Sequence, residues 1–271
     1  MSFNDAPAAS TYSSGVLSHR RQGEYERLRL LEQLCDPVTT QIIATLDIGR
    51  QGRCLEIGAG SGSVARWLAS HRPEGHVIAT ELDTGFLEAS PRPANLEIRR
   101  HDVTCEDFPA HSQDLVHARA LLTHLGDPER VLERMASWLV PGGWLVVEDP
   151  TYFPPESSPH PDFAALLHAG ERLLAQIQGT DQTWARRIPA AMARSGLTDI
   201  RMSVRVAVCG GNETEDAFWR ACFAQATPAL VERGLLTESQ IARGLAHLDD
   251  PTFTDVTWQV VSCWGRRPRL S

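Results

Sequence analysis

From Arg53 onward, short apolar runs alternate with stretches whose apolar residues recur every three or four positions, the rhythm of a parallel, doubly wound sheet. Strands are predicted at 53–57, 76–80, 96–100, 113–117 and 143–148, and two more at 200–208 and 255–264. The clearest helix lies between the fourth and fifth strands. Asp127 caps it, Pro128 enters its first turn, and Val131, Leu132, Met135, Trp138 and Leu139 form its buried stripe before Pro141-Gly142-Gly143 ends it. Upstream, Tyr25, Leu28, Leu31 and Leu34 stand at helical spacing over about 18–34, and Asp36-Pro37 predicts a second helix reaching Leu46. After a proline-rich loop at 150–161, which reads as a wall or lid, helices are predicted over about 162–178 and 181–195. A further helical stretch over about 212–248 starts its helices with the capping-box patterns Asn212-Glu213-Thr214-Glu215 and Thr237-Glu238-Ser239-Gln240.

The tightest punctuation is Cys54-Leu55-Glu56-Ile57-Gly58-Ala59-Gly60-Ser61-Gly62, a buried strand running into a glycine turn and then a helix, with Ser61 or Ser63 available as its cap. A dinucleotide fingerprint would need a third glycine where Ser63 stands, and the run reads instead E-x-G-x-G-x-G. Ligands of doubly wound sheets bind at strand carboxyl ends, and here those ends are polar: Glu56, then Glu81-Leu82-Asp83, His101-Asp102-Val103, His117-Ala118-Arg119 and Glu148-Asp149. Glu81 is placed to accept two ribose hydroxyls and Asp102 to accept an exocyclic amine. Two acids around one nucleoside, with no basic residue at the turn, suit a ligand that lacks phosphates and carries positive charge.

Composition narrows the partners. The chain has 271 residues, 42% of them apolar and 22% charged, with a net charge of −8, so sequence-independent binding to nucleic acid or an anionic membrane is not expected. Every basic residue is Arg, which removes Schiff-base chemistry and a P-loop lysine. The dispersed cysteines lack zinc spacing and predict neither a metal site nor disulfides, and the absence of a leader or long apolar run predicts a cytoplasmic protein.

Residues of about 50–150 resemble a class I S-adenosylmethionine-dependent methyltransferase. The resemblance rests on Cys54 to Gly62, on Val77 to Asp83 with Glu in place of the commoner Asp, on His101-Asp102-Val103, on Asp114 to Arg119, and on Leu139-Val140-Pro141-Gly142-Gly143-Trp144-Leu145. It implies a Rossmann-like α/β fold with seven mostly parallel strands and helical N-terminal and inserted caps. It divides the chain into an N-terminal tail and cap helices at 1–48, a core at 49–210 with a lid segment at 150–195, an inserted cap at 211–250, and a last strand and tail at 251–271. It also implies S-adenosylmethionine as cofactor, with Glu56, Gly58, Ala59 and Gly60 near its methionine part, Glu81 and Leu82 at the ribose, Asp102 and Val103 at the adenine, and Ala118 and Arg119 alongside. Glu56 is equally readable as a structural brace of the turn.

The outer regions resemble the small-molecule branch of the family, which implies an acceptor with an O, N or C nucleophile from secondary metabolism, and a monomer or homodimer. That branch also contains cyclases and lyases that do not transfer methyl groups, and a non-catalytic binding subunit is a further alternative. His117 and His124 are the candidate general bases. Tyr12, Tyr25, Glu148, Asp149 and Trp219 are candidates for the acceptor pocket, with Trp184 as a further aromatic wall.

Overall fold

The computed structural model describes residues 23–269; Tyr12 and the start of the first predicted helix lie outside them. Helix α1 (Glu24–Ala44) leads to β1 (Arg53–Ile57), α2 (Ser63–His71), β2 (His76–Glu81), the short α3 (Gly85–Glu88), β3 (Leu96–Arg100) and β4 (Gln113–Arg119). Then come α4 (Pro128–Trp138), β5 (Leu139–Tyr152), α5 (Pro161–Gln178), α6 (Ile188–Arg194), β6 (Thr198–Cys209), α7 (Glu213–Glu232), α8 (Glu238–Ala246) and β7 (Asp255–Arg266). The seven strands form one sheet in the order β3-β2-β1-β4-β5-β7-β6, and β1 to β5 pair in parallel. This is the seven-stranded, mostly parallel α/β sheet expected.

Contacts divide the chain into two compact units. Among the described residues, the sheet unit comprises Cys35–Thr151, Thr183–Arg205 and the chain from Val260 onward, and the helical unit comprises the chain up to Leu34, Tyr152–Gln182 and Val206–Gln259.

In the sheet unit, side chains alternate across the strands and both faces are covered. Cys54, Leu115 and Val146 pack with Ile43, Val64 and Leu68 on one face. Leu55, Val116, Leu145 and Val147 pack with Leu132, Met135, Ile188 and Met192 on the other. The same alternation puts Glu56, His117, Arg119 and Glu148 on the first face, toward the strand ends.

Three local expectations change. Asp36-Pro37 does not open a new helix: α1 is continuous with Pro37 inside it, because Asp36 and Thr39 are engaged by side chains of the sheet, as described below. The cap of α2 is Gly62, with no side-chain cap hydrogen bond, and Ser63 Oγ instead donates to Asp36 Oδ1 at 3.1 Å. Strand β5 starts at Leu139, before the glycine pair, and runs on to Tyr152, so the proline-rich loop is shorter than expected.

In the helical unit, Gly244 of α8 sits so close to α5 that a Cβ there would lie 2.9 Å from Leu166 Cβ. Asn212 caps α7 by accepting from the Glu215 N–H at 3.2 Å, whereas the Glu215 carboxylate accepts the Trp258 indole N–H at 2.5 Å. Thr237 and Gln240 form a complete capping box on α8. The turn into α7 needs Gly210, whose φ is +84° and whose added Cβ would lie 1.9 Å from the Phe253 carbonyl oxygen. Neighbouring Gly211 has φ +81° but open space around it. Gly210→Ala is therefore expected to cost at least ~3 kcal/mol in urea unfolding, and Gly211→Ala only ~1–2 kcal/mol, the backbone penalty alone.

Candidate functional site: the glycine turn and the strand ends

The turn after β1 carries Gly58, Gly60 and Gly62 at φ +67°, +59° and +85°, a left-handed succession that residues with a Cβ adopt only under strain. Its first corner lies under Leu121: a Cβ on Gly58 would be 3.2 Å from both Leu121 methyl groups. The Ala59 N–H donates to the Thr80 carbonyl at 2.9 Å, and Thr80 Oγ1 donates to the Glu56 carbonyl at 3.0 Å, so the turn is fastened to β2.

The next two strand ends bring their acids to this turn's side of the sheet by different means. Glu81 is buried, with Oε1 accepting the Gly60 N–H at 3.0 Å and Oε2 accepting the Leu82 N–H at 2.9 Å. Asp102 is half-buried, and its Oδ1 closes the turn after β3 by accepting from Thr104 N–H and Oγ1 at 2.9 and 2.6 Å. Val103 is buried beside it. Leu82 is half-buried and Ala118 fully buried.

Beneath the turn lies a buried polar network. His117 is wholly buried in mid-sheet, with Nε2 3.2 Å from Glu148 Oε2 and Nδ1 3.5 Å from Glu56 Oε1. Burial by itself would depress the imidazole, but the hydrogen bond to Glu148 and the nearby Glu56 carboxylate outweigh that and hold it up to about 9. Burial would raise Glu148, yet its contacts with His117, Arg119 and Ser262 leave it below the usual carboxylate range. Glu148 is fully engaged: Ser262 Oγ donates to Oε1 at 2.5 Å, and Thr39 Oγ1 donates to Oε2 at 2.5 Å. Arg119 reaches Thr39 Oγ1 at 2.9 Å and Asp36 Oδ1 at 2.7 Å.

This arrangement corrects the reading of His117 as a general base. A protonated imidazole with both nitrogens turned to carboxylates has no lone pair to offer an acceptor. Glu148 is equally withdrawn from the acceptor pocket expected for it, since its oxygens already serve three partners. His124 lies half-buried on a 3₁₀ turn, Leu122–His124, with a strand end and a sharp corner between it and His117. That corner includes Ala120 at φ +51°, whose N–H donates to the Glu148 carbonyl at 2.7 Å; a non-glycine residue held there is a strained point at the strand ends.

Asp149 points to the opposite face of the sheet. It is fully buried and accepts the Trp184 indole N–H at 3.1 Å, so Trp184 is part of the core beneath α4 and α6 and forms no aromatic wall at the site. Burial pushes the Asp149 carboxyl up to about 8, against the lowering effect of its hydrogen bonds. In the helical unit, Tyr25 is exposed at the start of α1. Trp219 is buried in an aromatic cluster with Phe218, Phe223 and Trp258 and donates to Thr257 Oγ1 at 3.2 Å, which is packing. The sequence reading missed Thr39 and Ser262, small hydroxyls whose only signal is their polarity within apolar stretches.

A family model described as a methyltransferase domain matches residues 20–195. The chain belongs to the class I S-adenosylmethionine-dependent methyltransferase family. Among curated relatives, methyltransferase str3 of Strobilurus tenacellus is 35% identical over 145 residues, covering 53% of this chain and 50% of that protein. Methyltransferase str2 of the same organism is 38% identical over 109 residues, covering 40% and 38%. The chain thus spans half or less of the length of these relatives. A solved structure of Haemonchus contortus phosphoethanolamine N-methyltransferase 2 in complex with S-adenosyl-L-methionine shares the fold, with a TM-score of 0.52 at 14% identity over 96% of this chain and 57% of that one. Among the described residues, no helix is long and apolar enough to cross a membrane.

The pH behaviour of Asp149 can be isolated. Its folded-state pKa is raised, so the stability it contributes is present below the unfolded value near 4 and is lost as pH rises through about 8. Asp149→Asn removes that titration, and the thermal midpoint of the variant relative to the parent protein is expected to rise steadily between pH 4 and 8. A difference flat across that window would contradict a buried, protonated carboxyl.

Proposed function

We propose that the chain binds S-adenosylmethionine along the glycine turn and catalyses methyl transfer to an O, N or C nucleophile of a small molecule, in secondary metabolism. The observation that carries this reading is the pairing of three positive-φ glycines with the Glu81 carboxylate drawn onto the Gly60 N–H. The donor set also suits the cofactor's charge. Glu81 and Asp102 offer acceptors to ribose and adenine, and Glu56 Oε2 is a buried carboxylate oxygen without a hydrogen-bond partner among the described residues, suited to an ammonium. Gly58 and Gly60 supply the positive-φ backbone of the turn along which the cofactor would lie. Ala118 and Arg119 line the cofactor's flank in this reading, with Arg119 turned to Asp36 and Thr39.

When bound, the cofactor would supply a methyl group on a positively charged sulfur for transfer to the acceptor's nucleophilic atom. The chain's own part is to orient the two reactants in line and exclude water. With His117 already protonated, His124 is the side chain this reading keeps for removing the acceptor's proton. The small-molecule acceptor is favoured by the resemblance of the outer regions to that branch. The acidic net charge of −8 argues in the same direction, against a nucleic acid acceptor.

Calorimetric titration with S-adenosylmethionine tests the assignment. The parent protein is expected to bind, and Glu81→Gln or Asp102→Asn to weaken binding roughly tenfold to a hundredfold, the loss of one charge-assisted hydrogen bond or two. Absence of binding by the folded parent protein would sink the proposal. Release of S-adenosylhomocysteine in the presence of a panel of phenols, amines and activated carbon acids then reads the transfer itself.

A further inference from the structure

The network beneath the turn has one open end. Glu148 has its oxygens filled by His117, Thr39 and Ser262, whereas Glu56 has only the long contact from Oε1 to His117 Nδ1, and its Oε2 is buried with no hydrogen-bond partner among the described residues. Leaving a buried carboxylate oxygen unpaired costs free energy, which a cationic ligand would offset. Glu56 stands two residues before Gly58, on the strand that feeds the turn.

Resting on the cofactor assignment above, we propose that His117 is a positioning residue: as an imidazolium fixed between Glu148 and Glu56, it holds the Glu56 carboxylate so that Oε2 is presented to the ammonium group of the cofactor's methionine part. Glu148 is the anchor, held by three donors from β4, α1 and β7. His117 transmits that anchorage, and Glu56 makes the ligand contact. The register supports the geometry, because Glu56 and His117 are paired positions on adjacent parallel strands and point to the same face.

The arrangement also ties ligand affinity to the charge on His117. The groups bearing on that charge are Glu56 on β1, Glu148 on β5, Arg119 on its own strand, and Asp36 and Cys35 on α1, with Arg205 on β6 and Cys263 on β7 acting through Cys35 and Glu148. The two flanking carboxylates outweigh burial and keep the imidazolium charged to about pH 9. Above that, Glu56 and Glu148 lose the positive charge between them, and Glu56 loses its fixed orientation.

The test compares two ligands that share the adenosine and differ in the amine. S-adenosylhomocysteine carries the amino-acid portion, and 5′-methylthioadenosine lacks it. In His117→Gln, the dissociation constant for S-adenosylhomocysteine is expected to rise at least tenfold while that for methylthioadenosine stays within about twofold. Glu56→Gln should reproduce the selective loss, and the double variant should lose little more than either single one, since both act on one contact. Between pH 8 and 10, the parent protein's preference for S-adenosylhomocysteine should fall more steeply than that of His117→Gln, in which only the ligand's own amine titrates. Equal loss of both ligands in the variants would assign His117 a purely structural role and overturn the proposal. If His117→Gln does not fold, Glu56→Gln and the parent pH profile decide it alone. Failure of the parent protein to bind either ligand is a separate result, and it removes the cofactor assignment itself.

Discussion

A parallel sheet that brings two carboxylates to one buried face must place positive charge between them or have one of them take up a proton. Glu56 and Glu148 come from strands on either side of β4, and the residue of β4 between them is His117, wholly buried. Its imidazolium faces both, at 3.5 Å from Glu56 and 3.2 Å from Glu148, and Arg119, two residues further along the same strand, carries the remaining positive charge out to Asp36. Much else follows from this constraint. Thr39 and Asp36 on α1 are drawn to the strand ends, Ser262 on β7 is recruited to the second oxygen of Glu148, and the carbonyl of Glu148 holds Ala120 in its strained corner. The glycine turn is thus supported from below by ionic contacts and from the side by Glu81.

The two faces of the sheet treat their acids in opposite ways. On the α1 and α2 side, Glu148 is kept charged by neighbours of opposite sign. One residue later and on the other side, Asp149 meets Trp184 and an apolar core, and is kept neutral by burial. Adjacent residues of one strand therefore hold different protonation states at neutral pH because alternation sends them to different surroundings.

The strands were legible because each is a short apolar run closed by a polar residue or glycine: 53–57 and 96–100 match β1 and β3 in full, and β2 and β4 extend only at their carboxyl ends. The acids of the turn were legible because their spacing follows from the βαβ repeat. What misled was local chemistry overridden by tertiary contact. Asp36-Pro37 reads as a helix start, yet Asp36 is occupied by Arg119 and Ser63, partners 83 and 27 residues away in sequence. His117 reads as an available base, and no local pattern announces Glu56, its registered partner on β1, or Glu148, which stands opposite Arg119 on β5. Trp184 and Trp219 carry an aromatic signal that does not distinguish a wall from a core.

The division into two units is unusual in where it cuts the chain. The path passes from one unit to the other at 34/35, 151/152, 182/183, 205/206 and 259/260, and all but the third of these points fall inside α1, β5, β6 or β7. At those four points the chain passes from one unit to the other within a helix or strand and not through a loop. A single residue inserted at 205/206 would reverse the facing of every later side chain of β6. The helical unit is therefore not a cassette that drift or engineering can exchange by one cut. A change in its length is best absorbed within its own loops.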